Sequence, residues 1–400
     1  MSERSPDDDD ERGMRRALAL ARRGAGRVSP NPQVGAVVVG AGGEPLGEGW
    51  HRAAGEAHAE VEAIHAAEEA HDAEALAAAT LYVTLEPCTH YGRTPPCTDL
   101  ILEKGLPRVV VGMADPHAKA AGGAERLREA GVSVRVGVLG AACRRQNEAF
   151  AHHVRTGRPL VTLKQAQTLG GRVATASGDS RWITAAPARR RVHRWRSETD
   201  AVLVGAGTAA SDDPRLTVRD PEPLDDEQPA VDRTAAAYQP RRLVLDRTGR
   251  LASSLTLFSD AHAARTTAVV GEERRSPPYA EALRDAGGRV LHAPEEDEHL
   301  DLEALLDRLG APPGEDTPPV QSLFVEAGPG LATALVRRDL VDRYYLFIAP
   351  RLLGAGTPAV GALGDGGRPF ARIADARSFA DHTWESVGPD VLFKGFRRAV

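Results

Sequence analysis

The chain has 400 residues and a mass of 42.5 kDa, too long for one typical domain. Apolar residues make up 42% and charged residues 26%, enough for folded cores and against disorder as the main state. The net charge of −6 argues against a general nucleic-acid binder, and no apolar stretch approaches the ~20 residues needed to span a bilayer.

The start of the chain lacks a basic segment followed by an apolar one, so no secretory signal is expected and the cytoplasm is the expected compartment. The three cysteines, Cys88, Cys97 and Cys143, are an odd count that points to metal binding or packing rather than a disulfide scaffold. Residues 1–12, with the acidic run Asp7 to Glu11, read as a disordered tail. A domain over residues 13–147 then alternates helix and strand. Helices are expected at Met14 to Arg23, His58 to Glu69, after Cys97, and at Gly123 to Ala130. Strands are expected at Gly35 to Val39, Gly47 to His51, Thr80 to Leu85, Arg108 to Met113 and Ser133 to Val138. A linker is expected over 148–158, followed by a second domain over 159–400. Its strands are expected at Leu160 to Gln165, Ala201 to Val204, Arg242 to Asp246, Thr266 to Val270, Arg289 to Leu291, Ser322 to Glu326 and Asp342 to Ile348. Pro- and Asp-rich stretches at 220–240 and 311–319 read as surface loops. The fold class is therefore α/β, in two domains.

The first domain carries the sharpest chemical signal. His58-Ala59-Glu60 opens a helix, Glu86-Pro87-Cys88 follows a strand, and Cys97 opens another helix. One imidazole and two thiolates make three zinc ligands and leave a fourth position open to water, as in a catalytic site. Glu60 lies two positions from His58, free of the metal and able to carry protons. His-x-Glu followed by Pro-Cys and a second Cys is the layout of zinc deaminases that attack a carbon of a nucleobase ring. Eight residues separate the cysteines here, against two in the nucleic-acid deaminases. His90 is a possible fourth ligand, which would make the zinc structural. His65 and His71 read as solvated helix positions, and Cys143 as packing.

Pro30-Asn31-Pro32, Gly49-Trp50-His51, Gly55-Glu56 before His58-Ala59-Glu60, and Thr84-Leu85-Glu86-Pro87-Cys88-Thr89-His90 with Gly92-Arg93-Thr94-Pro95-Pro96-Cys97 resemble the bifunctional riboflavin-biosynthesis deaminase–reductases. The resemblance implies a cytidine-deaminase-like fold and deamination at C2 of 2,5-diamino-6-(5-phosphoribosylamino)pyrimidin-4-one. It places His58, Cys88 and Cys97 on zinc, makes Glu60 catalytic, and lines the substrate pocket with Asn31, His51 and His90.

In the second domain, Gly205-Ala206-Gly207 after a strand is a weak dinucleotide-binding fingerprint, with its expected acid falling in the loop at Asp225 and Asp226. Glu326-Ala327-Gly328-Pro329 is a second strand-to-helix turn that could hold a phosphate. The run Thr175 to Thr184, Gly205 to Arg219 and Val325 to Pro329 again resembles the same enzymes, in their dihydrofolate-reductase-like, NADPH-dependent domain. The resemblance implies that Trp182, Thr208, Asp212 and Gly328 contact NADPH. It implies that Ser180, Arg196, Leu216, Arg219 and Glu326 contact substrate, the two arginines suiting a ribose phosphate. Arg189 to Arg191 read as a solvated helix face. The family usually has Asp where this chain has Gly170. That departure leaves open a deaminase with an inactive reductase-like domain; a nucleic-acid base deaminase is the other alternative. The expected partners are a small pyrimidine ribosyl phosphate and further copies of the chain, with no nucleic acid and no membrane.

Overall fold

A computed structural model of the chain describes all residues except 1–5, 92–94, 119, 224–231, 273–276, 312–313, 315–316 and 398–400. The chain divides into two compact units, one running to Thr156 and the other starting at Gly157.

The first unit opens with helix α1 (Pro6–Ala21), strands β1 (Gly35–Val39) and β2 (Pro45–Trp50), helix α2 (Ala59–Ala70) and the short turn α3 (Ala73–Leu76). Then follow β3 (Thr80–Leu85), α4 (Cys97–Glu103), β4 (Arg108–Met113), α5 (Gly123–Glu129), β5 (Ser133–Val136), α6 (Gly140–Gln146) and α7 (Glu148–Thr156). The sheet order is β2-β1-β3-β4-β5, antiparallel up to β3 and parallel beyond it. Val109, Val110 and Val111 of β4 are all buried, as a parallel strand covered on both faces requires. Helix α2 lies close on β2 because Gly49 has no side chain there; a Cβ would stand 2.5 Å from the Ala59 carbonyl oxygen.

Two expected boundaries shift. The acidic stretch from Pro6 to Arg12 is helical, not a tail. Asp7, Asp8 and Asp9 sit in the first helical turn, where the helix dipole favours negative charge. Asp10 is buried and accepts both arms of the Arg108 guanidinium at 2.8 Å, the Tyr82 hydroxyl at 3.1 Å and Arg135 at 2.9 Å. The expected linker is mostly helix α7, an amphipathic segment that buries Ala151 and extends the first unit to Thr156. Residues 1–5 lie outside the described residues, as do parts of the loops at 220–240 and 311–319.

The second unit begins with β6 (Leu160–Thr168), β7 (Arg172–Ala174), α8 (Ala186–Ser197), β8 (Ala201–Gly205), α9 (Ala206–Asp212), β9 (Arg241–Leu245), α10 (Thr256–Ser259) and β10 (Thr266–Gly271). It continues with α11 (Pro277–Asp285), β11 (Arg289–Ala293), β12 (Glu295–Glu296), β13 (His299–Leu300), α12 (Leu302–Gly310), β14 (Ser322–Glu326) and α13 (Pro329–Arg337). It closes with β15 (Arg343–Ala349), β16 (Thr357–Pro358), β17 (Asp381–Val387) and β18 (Asp390–Phe396). A nine-stranded sheet has the order β11-β10-β9-β8-β14-β6-β15-β18-β17, parallel except at the β15-β18-β17 edge. Alternate residues of one strand feed opposite cores: Ala201 and Leu203 join one, Val202 and Val204 the other. The hairpin of β17 and β18 was not expected from the sequence. Its alternation is blurred because Trp384 and Val391 face outward while Phe396 is buried.

Two candidate active sites

His58 caps the N-terminus of α2, Cys88 follows the end of β3, and Cys97 is the first residue of α4. These three elements bring one donor atom from each residue to within 4.8 Å of the others. His58 Nδ1 lies 3.3 Å from Cys97 Sγ and 3.7 Å from Cys88 Sγ. The Cys97 backbone N–H donates to Cys88 Sγ at 3.3 Å. Hydrogen bonds from Cys97 and His58 outweigh burial and hold the Cys88 thiol down to about 4. The Cys97 thiol, donating to Cys88 and buried, is pushed well up. The bond to Cys88 raises His58 to about 9. Two sulfurs and one imidazole nitrogen, converging from three elements, fit zinc. Glu60, in the first turn of α2, is buried, and that burial raises its carboxyl above the usual range.

His51 brings Asn31 to the same place. Its ring meets the His58 ring edge-on with centroids 5.9 Å apart, and its Nε2 lies 3.0 Å from Asn31 Nδ2. His90 is exposed and does not join the His58–Cys88–Cys97 group, so among the described residues no fourth protein ligand closes the site. The neighbouring motif residues Gly92, Arg93 and Thr94 lie outside the described residues. His65 and His71 are exposed, while Cys143 is fully buried and pushed up to about 12 by that burial. Glu86 belongs to the motif leading to Cys88 but has no role in the sequence pattern. Its carboxylate accepts three backbone N–H groups beside Cys88. The signal available was an acid two residues before a ligand cysteine.

In the second unit, parallel neighbours β8 and β14 end together, each leading through glycine into a helix. Thr208 Oγ1 lies 3.1 Å from where a Cβ on Gly328 would stand, so these two predicted cofactor contacts are neighbours. Glu326 ends β14 and accepts Arg196 Nε at 2.5 Å. Lys164 stands beside Glu326 in register on β6. Burial acts to raise the Glu326 carboxyl, but the charges of Arg196 and Lys164 prevail and lower it. Burial pushes the Lys164 amine down. Lys164 was not among the predicted site residues, since a strand lysine reveals its neighbour only through strand pairing.

Thr217 organises the remaining charge. Its carbonyl accepts Arg196 Nη1 at 3.0 Å and His193 Nδ1 at 3.0 Å, and its hydroxyl accepts Arg219 at 2.8 Å. Arg219 and Arg215 line a cavity of about 390 Å³ with Thr217, Thr234, Thr256 and His262 among its walls. Leu216 is packed into the apolar core with its backbone at φ +53°, so its side chain does not face a ligand as a substrate contact would require. Trp182 is exposed, with the Arg189 guanidinium 4.7 Å above its ring. Arg181 donates to the Asp212 carbonyl, tying the loop that holds Ser180 and Trp182 to α9. Arg191 is not a free solvated charge; it pairs with Glu222 and Glu385.

The two units define the class: a zinc-dependent deaminase of the cytidine-deaminase fold, joined to a dihydrofolate-reductase-like reductase. Residues 7–113 match the cytidine and deoxycytidylate deaminase zinc-binding region, and residues 159–393 match the RibD C-terminal domain. The chain is 40% identical to the riboflavin biosynthesis protein RibD of Escherichia coli over 383 residues, covering 96% of this chain and 98% of that protein. It is 40% identical to RibD of Aquifex aeolicus over 384 residues, covering 96% and 97%. The solved deaminase/reductase of Thermotoga maritima superimposes with a TM-score of 0.79 at 33% identity, covering 98% of this chain and 99% of that one. RibD of Acinetobacter baumannii gives the same TM-score, 0.79, at 33% identity and the same coverage, 98% and 99%. The chain belongs to the RibD family of bifunctional riboflavin-biosynthesis enzymes. It deaminates 2,5-diamino-6-(5-phosphoribosylamino)pyrimidin-4-one and reduces the ribosyl group of the product, with zinc and NADPH as cofactors.

Proposed function

We propose a residue-by-residue division of labour for these two reactions. His58, Cys88 and Cys97 hold zinc, which when bound supplies the Lewis acidity that makes water a nucleophile at neutral pH. Glu60 takes the proton released as oxygen bonds to C2 of the pyrimidine. It passes that proton to the ring nitrogen, then takes the remaining hydroxyl proton from the C2 adduct and gives it to the amino group, which leaves as ammonia while the C2–N bond breaks and C2=O forms. Asn31, His51 and His90 orient the pyrimidine. The observation that carries this reading is the convergence of the three donor atoms within 4.8 Å, with buried Glu60 two residues from His58.

In the reductase unit, Thr208, Gly328, Trp182 and Asp212 seat NADPH, which supplies hydride to C1′ of the ribose as the sugar ring opens. Arg196, Arg219, Ser180, Glu326 and the Leu216 backbone seat the substrate. Arg219 on the wall of the 390 Å³ cavity supports assigning it the phosphate. Two compact units support the division into two domains, the first running from α1 through α7 and the second over 159–400. We also propose cytoplasmic residence, a homo-oligomeric state and no nucleic-acid partner, the last supported by the net charge of −6.

The test is Glu60→Gln. The expected result is loss of ammonia release by about 10²–10⁴-fold, with zinc retained and NADPH oxidation normal on pre-deaminated substrate. Unchanged ammonia release would remove Glu60 from the proton path.

A further inference from the structure

Behind the zinc ligands lies a buried carboxylate that the chemistry above does not use. Glu86 directly follows β3 and is only 9% exposed. Its backbone N–H donates to the Met113 carbonyl at 2.9 Å. Its Oε1 accepts Gly122 N–H at 3.2 Å and Ala124 N–H at 2.9 Å, and its Oε2 accepts Asp115 N–H at 3.1 Å. One side chain therefore grips both ends of the loop between β4 and α5, and also supplies acceptors to orphan N–H groups where α5 begins.

That loop and helix start press on the Cys88 segment. A Cβ on Gly123 would stand 1.9 Å from the Pro87 carbonyl oxygen, so α5 touches the backbone one residue before the ligand. Thr89 Oγ1 donates to the Ala121 carbonyl at 3.3 Å on the other side of Cys88. Thr98 Oγ1 and the Thr98 backbone N–H donate to the Cys88 carbonyl at 3.2 and 3.3 Å. Pro87, Cys88 and Thr89 are thus held between α4 and the segment at the start of α5, and Glu86 binds the backbone N–H groups at that start.

We propose that Glu86 is a positioning residue for the deaminase centre: through Asp115, Gly122 and the start of α5 it sets the placement of the Cys88 sulfur. Partners behind metal ligands commonly change metal affinity or activity by about 10–100-fold when removed. The proposal rests on Cys88 being a zinc ligand.

The experiment compares the full chain with Glu86→Ala and Glu86→Gln, using cobalt(II) in place of zinc as a spectroscopic probe. Three readouts are taken: cobalt affinity with the sulfur-to-cobalt absorption band, deamination kinetics of the zinc form, and NADPH oxidation on pre-deaminated substrate. The last reports on the second unit and shows that the effect is confined to the first. Glu86→Ala is expected to weaken cobalt binding by about 10–100-fold, shift the absorption band and lower deamination kcat, with NADPH oxidation unchanged. Glu86→Gln is expected to fall between Ala and the parent. Its single carbonyl oxygen can still serve Gly122 and Ala124 but not Asp115. Parent-like cobalt affinity, band position and kcat in both variants would overturn the proposal. So would a Glu86→Gln variant no better than Glu86→Ala. A parent that shows no sulfur-to-cobalt band would instead strike at the ligand assignment, and the proposal would fall with it.

Discussion

Asn31 Nδ2 lies 3.0 Å from His51 Nε2, while His51 Nδ1 lies 2.9 Å from the Ala57 carbonyl oxygen. The carbonyl can only accept, so Nδ1 carries the proton and Nε2 accepts from the Asn31 amide. Burial lowers the His51 pKa, which keeps the ring in this neutral tautomer. One amide hydrogen of Asn31 is thereby committed, and its amide is held by His51, whose ring meets that of His58. Asn31→Asp offers no hydrogen to Nε2. It should raise KM for deamination by about tenfold or more, equivalent to roughly 1.4 kcal/mol, with reductase kinetics unchanged. Steady-state kinetics of the two half-reactions check this.

The buried Asp10 makes the first unit acid-sensitive. Burial opposes its ionisation, but Arg108, Tyr82 and Arg135 prevail and lower its pKa below the ordinary 3.8. The unfolded chain then takes up the proton at a higher pH than the folded one, so stability is present above that value and is lost as pH falls below it. Asp10→Ala should cost about 1–3 kcal/mol at neutral pH and make the first unit less sensitive to strong acid. Denaturant unfolding followed at pH 7 and pH 3 measures both effects.

In the reductase unit the sign is the same but the window lies higher. His193 is held neutral, its pKa lowered from 6.5 to about 4 by burial and by Arg196 and Arg219. Between these values the unfolded chain binds a proton that the folded chain refuses, so stability falls as pH drops from about 6.5 toward 4. His193→Gln keeps an N–H donor for the Thr217 carbonyl and should flatten that slope. Urea titrations of both proteins across the window are the check.

Gly170 departs from the family pattern without a steric reason. A Cβ there would meet only Leu352 Cδ2, at 3.8 Å, an ordinary contact, and Gly170 is not among the residues of positive φ. Gly170→Asp should therefore fold with a stability change within about 0.5 kcal/mol. The native chain is expected to oxidise NADPH without it. A parent inactive in reduction but rescued by Gly170→Asp would show that the acid matters.

The zinc group was legible because its chemistry dictates residue types at short spacing: His58 with Glu60 on one helical turn, Cys88 after a strand, Cys97 opening a helix. Most strands were legible because parallel strands covered on both faces read as apolar runs, as in Arg108 to Met113. Lys164, His193 and Glu86 were not legible as members of the sites. Each acquires its role from a partner far away in sequence: Glu326 across a strand pair, Thr217 across a loop, Ala124 at a helix start. The start of α1 was hidden for the same reason. An acidic run is solvated unless an arginine such as Arg108, 98 residues later than Asp10, waits to receive it.

The central claim is that one chain performs both reactions. The direct measurement supplies zinc-loaded protein with the diaminopyrimidine ribosyl phosphate and NADPH, and follows ammonia release and NADPH absorbance together. The account predicts that both signals appear, with ammonia leading. Ammonia with no loss of NADPH would contradict the reductase half, and neither signal from a zinc-bound chain would contradict the substrate itself.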